Sequence, residues 1–284
     1  MYNFIKLHSS VLYGIFWISA YCTSLAEAQK VPEVGSRIEV YKIVGDTNLK
    51  AHILFPPGHK ESDARPAFVF FHGGGWYEGQ AENGLRMCRY WAEKGMVSIS
   101  FEYRLASLDG PTPLVCIKDA KSAIRWVRRQ AAELGVDPGK IVATGGSAGG
   151  HLAVSTAILQ GFEEADEDLS ISSAPDAVIV WSAAVNVAGD NWFKQLLGDR
   201  ADTRSCSPAH NIKSGLPPML LLHGTEDQTV PYSTITQFTQ EMQEAGNRCE
   251  LHTYKDGGHL FHLKNRQQVL GVIDTFLSSL DFLK

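Results

Sequence analysis

Three side chains in this sequence have the types and the chain order needed for nucleophilic acyl transfer: Ser147, Asp227 and His259. A serine hydroxyl is a weak nucleophile; it needs an imidazole to take its proton and a carboxylate to orient that imidazole. Ser147 is the centre of Gly145-Gly146-Ser147-Ala148-Gly149, a G-x-S-x-G pentapeptide. Alone the pattern says little in a chain with 26 glycines. Its setting says more. The apolar run 140–144 leads into it and the alanine-rich stretch 148–159 leads out, which predicts the strand–turn–helix of a nucleophile elbow.

Downstream, the apolar run 219–222 ends in His223-Gly224-Thr225-Glu226-Asp227, and the run 249–254 is followed by a loop holding Gly257, Gly258 and His259. Ser, then Asp, then His is the order expected of this elbow architecture, and all three leave the carboxyl end of the sheet. Competing residues are weaker. Glu226 adjoins Asp227, and consecutive residues do not face the same way. His252 lies inside an alternating strand, His262 is entering a helix, and His223 ends a strand as a structural histidine. His259-x-x-His262 lacks both the HExxH pattern and a third ligand, so no metal is expected, and acyl transfer of this kind needs no cofactor.

A second glycine cluster, His72-Gly73-Gly74-Gly75-Trp76, follows the apolar run 67–71. Backbone N–H groups of glycines can point at a developing oxyanion because no Cβ blocks them. This loop, with Ala148 after the candidate nucleophile, is therefore the expected oxyanion hole. A glycine-rich turn without chemistry is the competing reading. His72 is expected to brace this loop. Trp76 and Tyr77 on one side and Trp192, in the segment 181–210, on the other are the candidate substrate-binding residues.

The elements that must position these residues alternate. Segments 37–44 and 49–55 predict an antiparallel hairpin around Gly45-Asp46-Thr47-Asn48. Short apolar runs at 67–71, 96–101, 140–144, 177–181 and 219–222 suit strands covered on both faces. Helical spacing occurs at 85–94, 115–134, 148–159, 233–244 and 266–280, with Asp137-Pro138-Gly139 breaking the chain before the next strand. This predicts an α/β fold with a mostly parallel sheet, helices on both faces and an antiparallel start.

The chain has 284 residues, 44% of them apolar, and carries 31 acidic against 26 basic residues, a net charge of -5. That balance excludes a disordered chain and argues against a nucleic-acid partner. Residues 1–28 predict a signal peptide: Lys6 in the n-region, an apolar stretch at 11–20 too short to span a bilayer, and Ala26-Glu27-Ala28 as the cleavage site. An uncleaved amino-terminal anchor is the alternative. Residues 29–284 are then one domain, secreted or periplasmic. Export leaves Cys88, Cys116, Cys206 and Cys249, which either pair or serve as buried small apolar residues.

His72-Gly-Gly-Gly-Trp76, Glu102-Tyr-Arg-Leu105, Gly145-Gly-Ser-Ala-Gly-Gly-His151, His223-Gly-Thr-Glu-Asp227 and Gly258-His259 together resemble the α/β-hydrolases. The similarity is to the acetyl-xylan/feruloyl-esterase-like and hormone-sensitive-lipase-like carboxylesterases, over roughly residues 35–280. The resemblance implies Ser147 as nucleophile, His259 as base, Asp227 as its orienting acid, and the N–H groups of Gly74, Gly75 and Ala148 as oxyanion donors. Lipase-like members often have Asp where this chain has Gly146, which leans toward the carbohydrate-esterase-like branch. Arg104 and Asp119 occupy family-typical positions and are expected to form a structural pair. The segment 181–210 is short for an interfacial lipase lid, so short acyl esters are expected, acetyl or feruloyl groups on polysaccharides among them. The same triad would also serve a peptidase or formamidase-type amide hydrolase. An inactive hydrolase-fold binding protein is the reading from another class, and the intact set of three residues argues against it.

Overall fold

Alternate residues of the run 67–71 go to opposite faces of a sheet. Ala67, Val69 and Phe71 join one core cluster, and Phe68 and Phe70 join the other. This period-two division is what a strand buried on both sides requires. The computed structural model describes residues 33–283, so the signal peptide at 1–28 lies outside the described residues.

Among the described residues the strands are β1 (Gly35–Val44), β2 (Thr47–Phe55), β3 (Arg65–Phe71), β4 (Val97–Phe101), β5 (Val136–Gly146), β6 (Ala177–Trp181), β7 (Met219–Gly224) and β8 (Cys249–Tyr254). They form one sheet in the order β1-β2-β4-β3-β5-β6-β7-β8. β1 and β2 pair antiparallel, as do β2 and β4; every pairing from β4 through β8 is parallel. The hairpin turn is tighter than its sequence suggests. Val44 pairs with Thr47, leaving only Gly45 and Asp46 in the bend, with Gly45 at φ 55°. That positive φ suits the two-residue turns whose twist matches the strands.

Among the described residues the α-helices are α1 (Leu85–Glu93), α2 (Pro113–Arg129), α3 (Ala148–Ile158), α4 (Asn191–Leu197), α5 (Tyr232–Glu244), α6 (Phe261–Lys264) and α7 (Arg266–Ser278). α2 begins one residue after Thr112, whose hydroxyl accepts the Leu114 N–H at 3.3 Å, with Pro113 at the first helical position. Its pattern predicts a helix to 134, but the chain turns out of helix after Arg129. α1 and α7 pack on one face of the sheet, α2, α3 and α5 on the other. Every residue of α3 is buried, so it has no polar face. Asp137-Pro138-Gly139 does not end the preceding structure; it bulges out of β5, whose partners step from Arg65↔Val136 to Ala67↔Ile141.

β3 connects outward to β4, and β4 returns across β3 to β5. The loops after β3 and β5 therefore diverge where the strand order reverses, the place where open α/β sheets form their ligand crevice.

All four described cysteines are buried and unbridged, which decides between the two readings of them. Among the described residues no helix is long and apolar enough to cross a membrane. Arg104 and Asp119 form the expected pair, bidentate at 2.8 and 2.7 Å. Lys42 joins Asp119 at 2.6 Å and Glu164 at 3.0 Å, extending the pair into a network that ties β1 to α2 and to the loop after α3.

Candidate active site

Ser147 lies between β5 and α3 at φ 54°, ψ −122°, a strained conformation for a residue with a Cβ. Its N–H is anchored to the Trp181 carbonyl at 3.1 Å, and its carbonyl accepts the His151 N–H at 3.0 Å. The flanking glycines have a steric cause. A Cβ on Gly149 would run into the carbonyl oxygens of Phe71 and His72, so only glycine lets β3 pass this close to the turn.

Asp227, in the loop after β7, and His259, in the loop after β8, meet as their chain positions suggest. His259 Nδ1 lies 2.8 Å from Asp227 Oδ2 and 3.0 Å from Oδ1. Oδ1 also accepts the N–H groups of Thr229 and Val230, each at 2.9 Å. Burial opposes the charge on Asp227, but hydrogen bonds from His223, His259 and Val230 outweigh it and hold the carboxyl well below the usual carboxylate range. A permanent anion at Nδ1 keeps Nε2 as the nitrogen free to take a proton. Glu226 does not compete; its N–H is engaged by the Gly257 carbonyl and its side chain is exposed.

His223 is closer to the chemistry than a merely structural histidine. It is buried, and its Nε2 lies 2.9 Å from the Val230 carbonyl and 3.3 Å from Asp227 Oδ2. His252 stays in β8 beside Tyr254. His262 is in α6 on the cleft wall, where burial first and the neighbouring His259 second push its imidazole down to about 4. Among the described residues no group of three or more His, Cys, Asp or Glu side chains could hold a metal ion.

The loop after β3 turns sharply. Gly74 is at φ 120° and its carbonyl accepts the N–H groups of Tyr77 and Glu78. A Cβ on Gly74 would strike the Glu78 backbone. Among the described residues no acceptor takes the N–H of Gly74 or Gly75, and Ala148, as the first residue of α3, has no intrahelical acceptor. His72 braces the loop: Nδ1 donates to the Gly73 carbonyl at 2.8 Å, and Tyr103 stacks on its ring and donates to its carbonyl at 2.8 Å.

Ser147, His259, Gly74, Gly75, Tyr77 and Trp192 line one cleft of about 1320 Å³. Tyr77 and Trp192 meet edge to face at 5.6 Å, and Trp192 Nε1 donates to the Gly75 carbonyl at 2.9 Å. Trp76 is a correction to the sequence-based assignment. It is 3% exposed, donates from Nε1 to His151 Nδ1 at 3.1 Å, and packs edge-on to Phe193. At φ 63° its backbone sends the indole into the core rather than into the cleft. One residue of the cleft belongs to no sequence motif. Ser182, which follows β6, is buried against the cleft and donates to the His259 carbonyl at 2.8 Å. Its position directly after an apolar strand was the only signal.

The BD-FAE family model matches residues 52–242. The apo form of Thermogutta terrifontis esterase 2 superposes with a TM-score of 0.84 and 42% identity, covering 88% of this chain and 96% of that one. Its butyrate-bound form gives 0.82 and 41%, over 89% and 96%. The form phosphorylated by paraoxon gives 0.82 and 43%, over 88% and 95%. Esterase LipQ of Mycobacterium tuberculosis is 29% identical over 198 residues, 64% of this chain and 46% of LipQ. Carboxylesterase NlhH of the same organism is 37% identical over 116 residues, 40% of this chain and 35% of NlhH. The chain spans about half the length, or less, of the curated relatives it matches.

Proposed function

This chain belongs to the BD-FAE family of α/β-hydrolase carboxylesterases, and from that membership we propose that it is a serine carboxylesterase for short acyl esters. One observation carries the reading: the cleft that holds Ser147 also holds His259, whose other ring nitrogen is bound by the buried, permanently ionised Asp227.

In the proposed reaction Ser147 Oγ attacks the ester carbonyl while His259 Nε2 takes its proton. The carbonyl π electrons move to oxygen, where the N–H groups of Gly74, Gly75 and Ala148 receive the negative charge. Each such donor is worth about 3 kcal/mol in acyl transfer. His259 then protonates the leaving alkoxide as the C–O bond breaks, leaving an acyl-serine. Water, deprotonated by His259, repeats the sequence and releases the acid. His223 supports the reading: its Nε2 lies 3.3 Å from Asp227 Oδ2, the oxygen that His259 Nδ1 also approaches.

Short acyl groups are favoured by the butyrate bound to Thermogutta terrifontis esterase 2 and by the aromatic wall of Tyr77 and Trp192 beside the oxyanion loop. Acetyl or feruloyl groups on polysaccharides are the proposed natural class, and export through the segment 1–28 would bring the protein to them.

The test is a panel of p-nitrophenyl acetate, butyrate and palmitate, acetylated xylan, methyl ferulate and peptide anilides. Turnover of the short esters, lost in Ser147→Ala, is expected, with paraoxon adding its phosphoryl group at Ser147. Wild type and Ser147→Ala equally inert on every ester would overturn the reading; cleavage of anilides alone would replace it with amide hydrolysis. Amino-terminal sequencing of exported protein checks cleavage after Ala28.

A further inference from the structure

The cleft that holds Ser147 is also lined by two arginines: Arg86, on α1, and Arg266, the first residue of α7. Arg266 lies over the Tyr90 ring, 5.9 Å from its centroid, and Tyr90 is one turn beyond Arg86 on the same face of α1. Among the described residues neither guanidinium has a carboxylate within 4.0 Å.

The charges nearby do not neutralise them. Glu78 also lines the cleft, but its carboxylate lies more than 4.0 Å from both guanidiniums. Lys94 approaches Tyr90 as well, but it is paired with Asp274 at 3.1 Å and does not line the cleft. Two guanidiniums that share one cleft without a counter-ion repel each other, and a bound anion converts that repulsion into attraction. The planar fork of arginine matches a carboxylate in particular, donating two parallel hydrogen bonds to its oxygens.

We propose that Arg86 and Arg266 bind a carboxylate carried by the substrate, so that the preferred substrate is an acidic ester. The inference rests on the esterase reading and adds the chemical class of the group that does not react. The carboxylate has two sources: the alcohol part, as in a uronate-bearing saccharide, or the acyl part, as in a half-ester of a dicarboxylic acid.

Two matched pairs separate these sources. Acetylated methyl glucuronoside is compared with acetylated methyl glucoside, and mono-p-nitrophenyl glutarate with p-nitrophenyl valerate. Wild type is expected to favour the acid in at least one pair, and added sodium chloride to reduce that preference. In Arg86→Gln and Arg266→Gln the acid-to-neutral ratio of kcat/KM should fall about tenfold, the value of one charge-assisted hydrogen bond. Thermal unfolding of each variant confirms that the fold is kept, and the ratio cancels any common loss of activity. Cleavage of the neutral esters with no acid preference in either pair, or a ratio unchanged in both variants, overturns this inference and leaves the esterase reading intact. Failure to cleave any ester overturns both.

Discussion

Ser182 donates its hydroxyl to the backbone carbonyl of His259 at 2.8 Å. The residue before it, Trp181, accepts the Ser147 N–H at 3.1 Å. One dipeptide at the end of β6 thus ties the loop of the candidate nucleophile to the loop of the candidate base. Ser182 adopts φ 45° to do so, a conformation that costs about 1–3 kcal/mol for a residue with a Cβ.

Replacing Ser182 should therefore slow the reaction without weakening substrate binding. Ser182→Ala keeps the backbone strain and loses the hydrogen bond; Ser182→Gly loses both. Each is expected to lower kcat about fivefold, the effect of one hydrogen bond of about 1 kcal/mol, with KM nearly unchanged. Steady-state kinetics on a p-nitrophenyl ester measures this. If kcat stayed at the wild-type value in both variants, Ser182 would have no positioning role.

Ser147 stores strain of the same kind at φ 54°. Ser147→Gly and Ser147→Ala should both lack esterase activity, yet differ in stability. The glycine variant should be more stable than the alanine variant by about 1 kcal/mol, because relief of strain exceeds the added freedom of its unfolded chain. Urea unfolding gives the order directly. An alanine variant as stable as the glycine variant would mean that the elbow is not strained.

Trp76 and Trp192 should separate stability from catalysis. Burial pushes His151 down to about 4, so it is neutral, with Nε2–H donating to the Cys206 carbonyl and Nδ1 accepting from Trp76. Trp76→Phe leaves that buried Nδ1 without a donor and should cost about 1–3 kcal/mol, with little change in KM. Trp192→Ala should do the reverse, cutting kcat/KM several-fold through the cleft wall and the Gly75 contact while changing stability by about 1 kcal/mol or less. A KM raised in Trp76→Phe and unaltered in Trp192→Ala would contradict the placement of both.

Glu164 should make part of the stability acid-sensitive. Burial alone would raise its carboxyl, but hydrogen bonds and charge from Lys42, then Arg104 and Lys118, outweigh it and hold the group at about 2 against an ordinary 4.5. A depressed carboxyl stabilises the fold fully above its unfolded value and loses that contribution as pH falls from 4.5 toward 2. With solvent screening of these partly open pairs, Glu164→Gln should cost about 1–2 kcal/mol at neutral pH and progressively less below about pH 4. Urea titrations across that range would show the two proteins converging; a constant gap would assign the loss to packing instead.

The amino-acid sequence by itself determined the sheet, the five helices that pack on its faces and the three residues that lie at one end. Those features rest on local rules. Alternating burial makes strands such as 67–71 visible, and glycine is required wherever backbones pass as closely as at Gly149. That Ser147, Asp227 and His259 lie at the same end follows from a parallel sheet, whose strands all present their carboxyl ends to the same side.

Only the tertiary structure decided which way loop side chains point. Trp76 and Tyr77 are neighbours of similar character, but a left-handed backbone at Trp76 sends one indole to His151 and leaves Tyr77 in the cleft. Outside helices and strands no period links sequence position to face, so such an outcome is set by packing. The same holds for Ser182 at the His259 carbonyl, for Lys42 and Glu164 around the Arg104–Asp119 pair, and for Arg86 and Arg266 in one cleft. Each of these contacts joins segments far apart in the chain, and distance along a sequence carries no record of proximity in space.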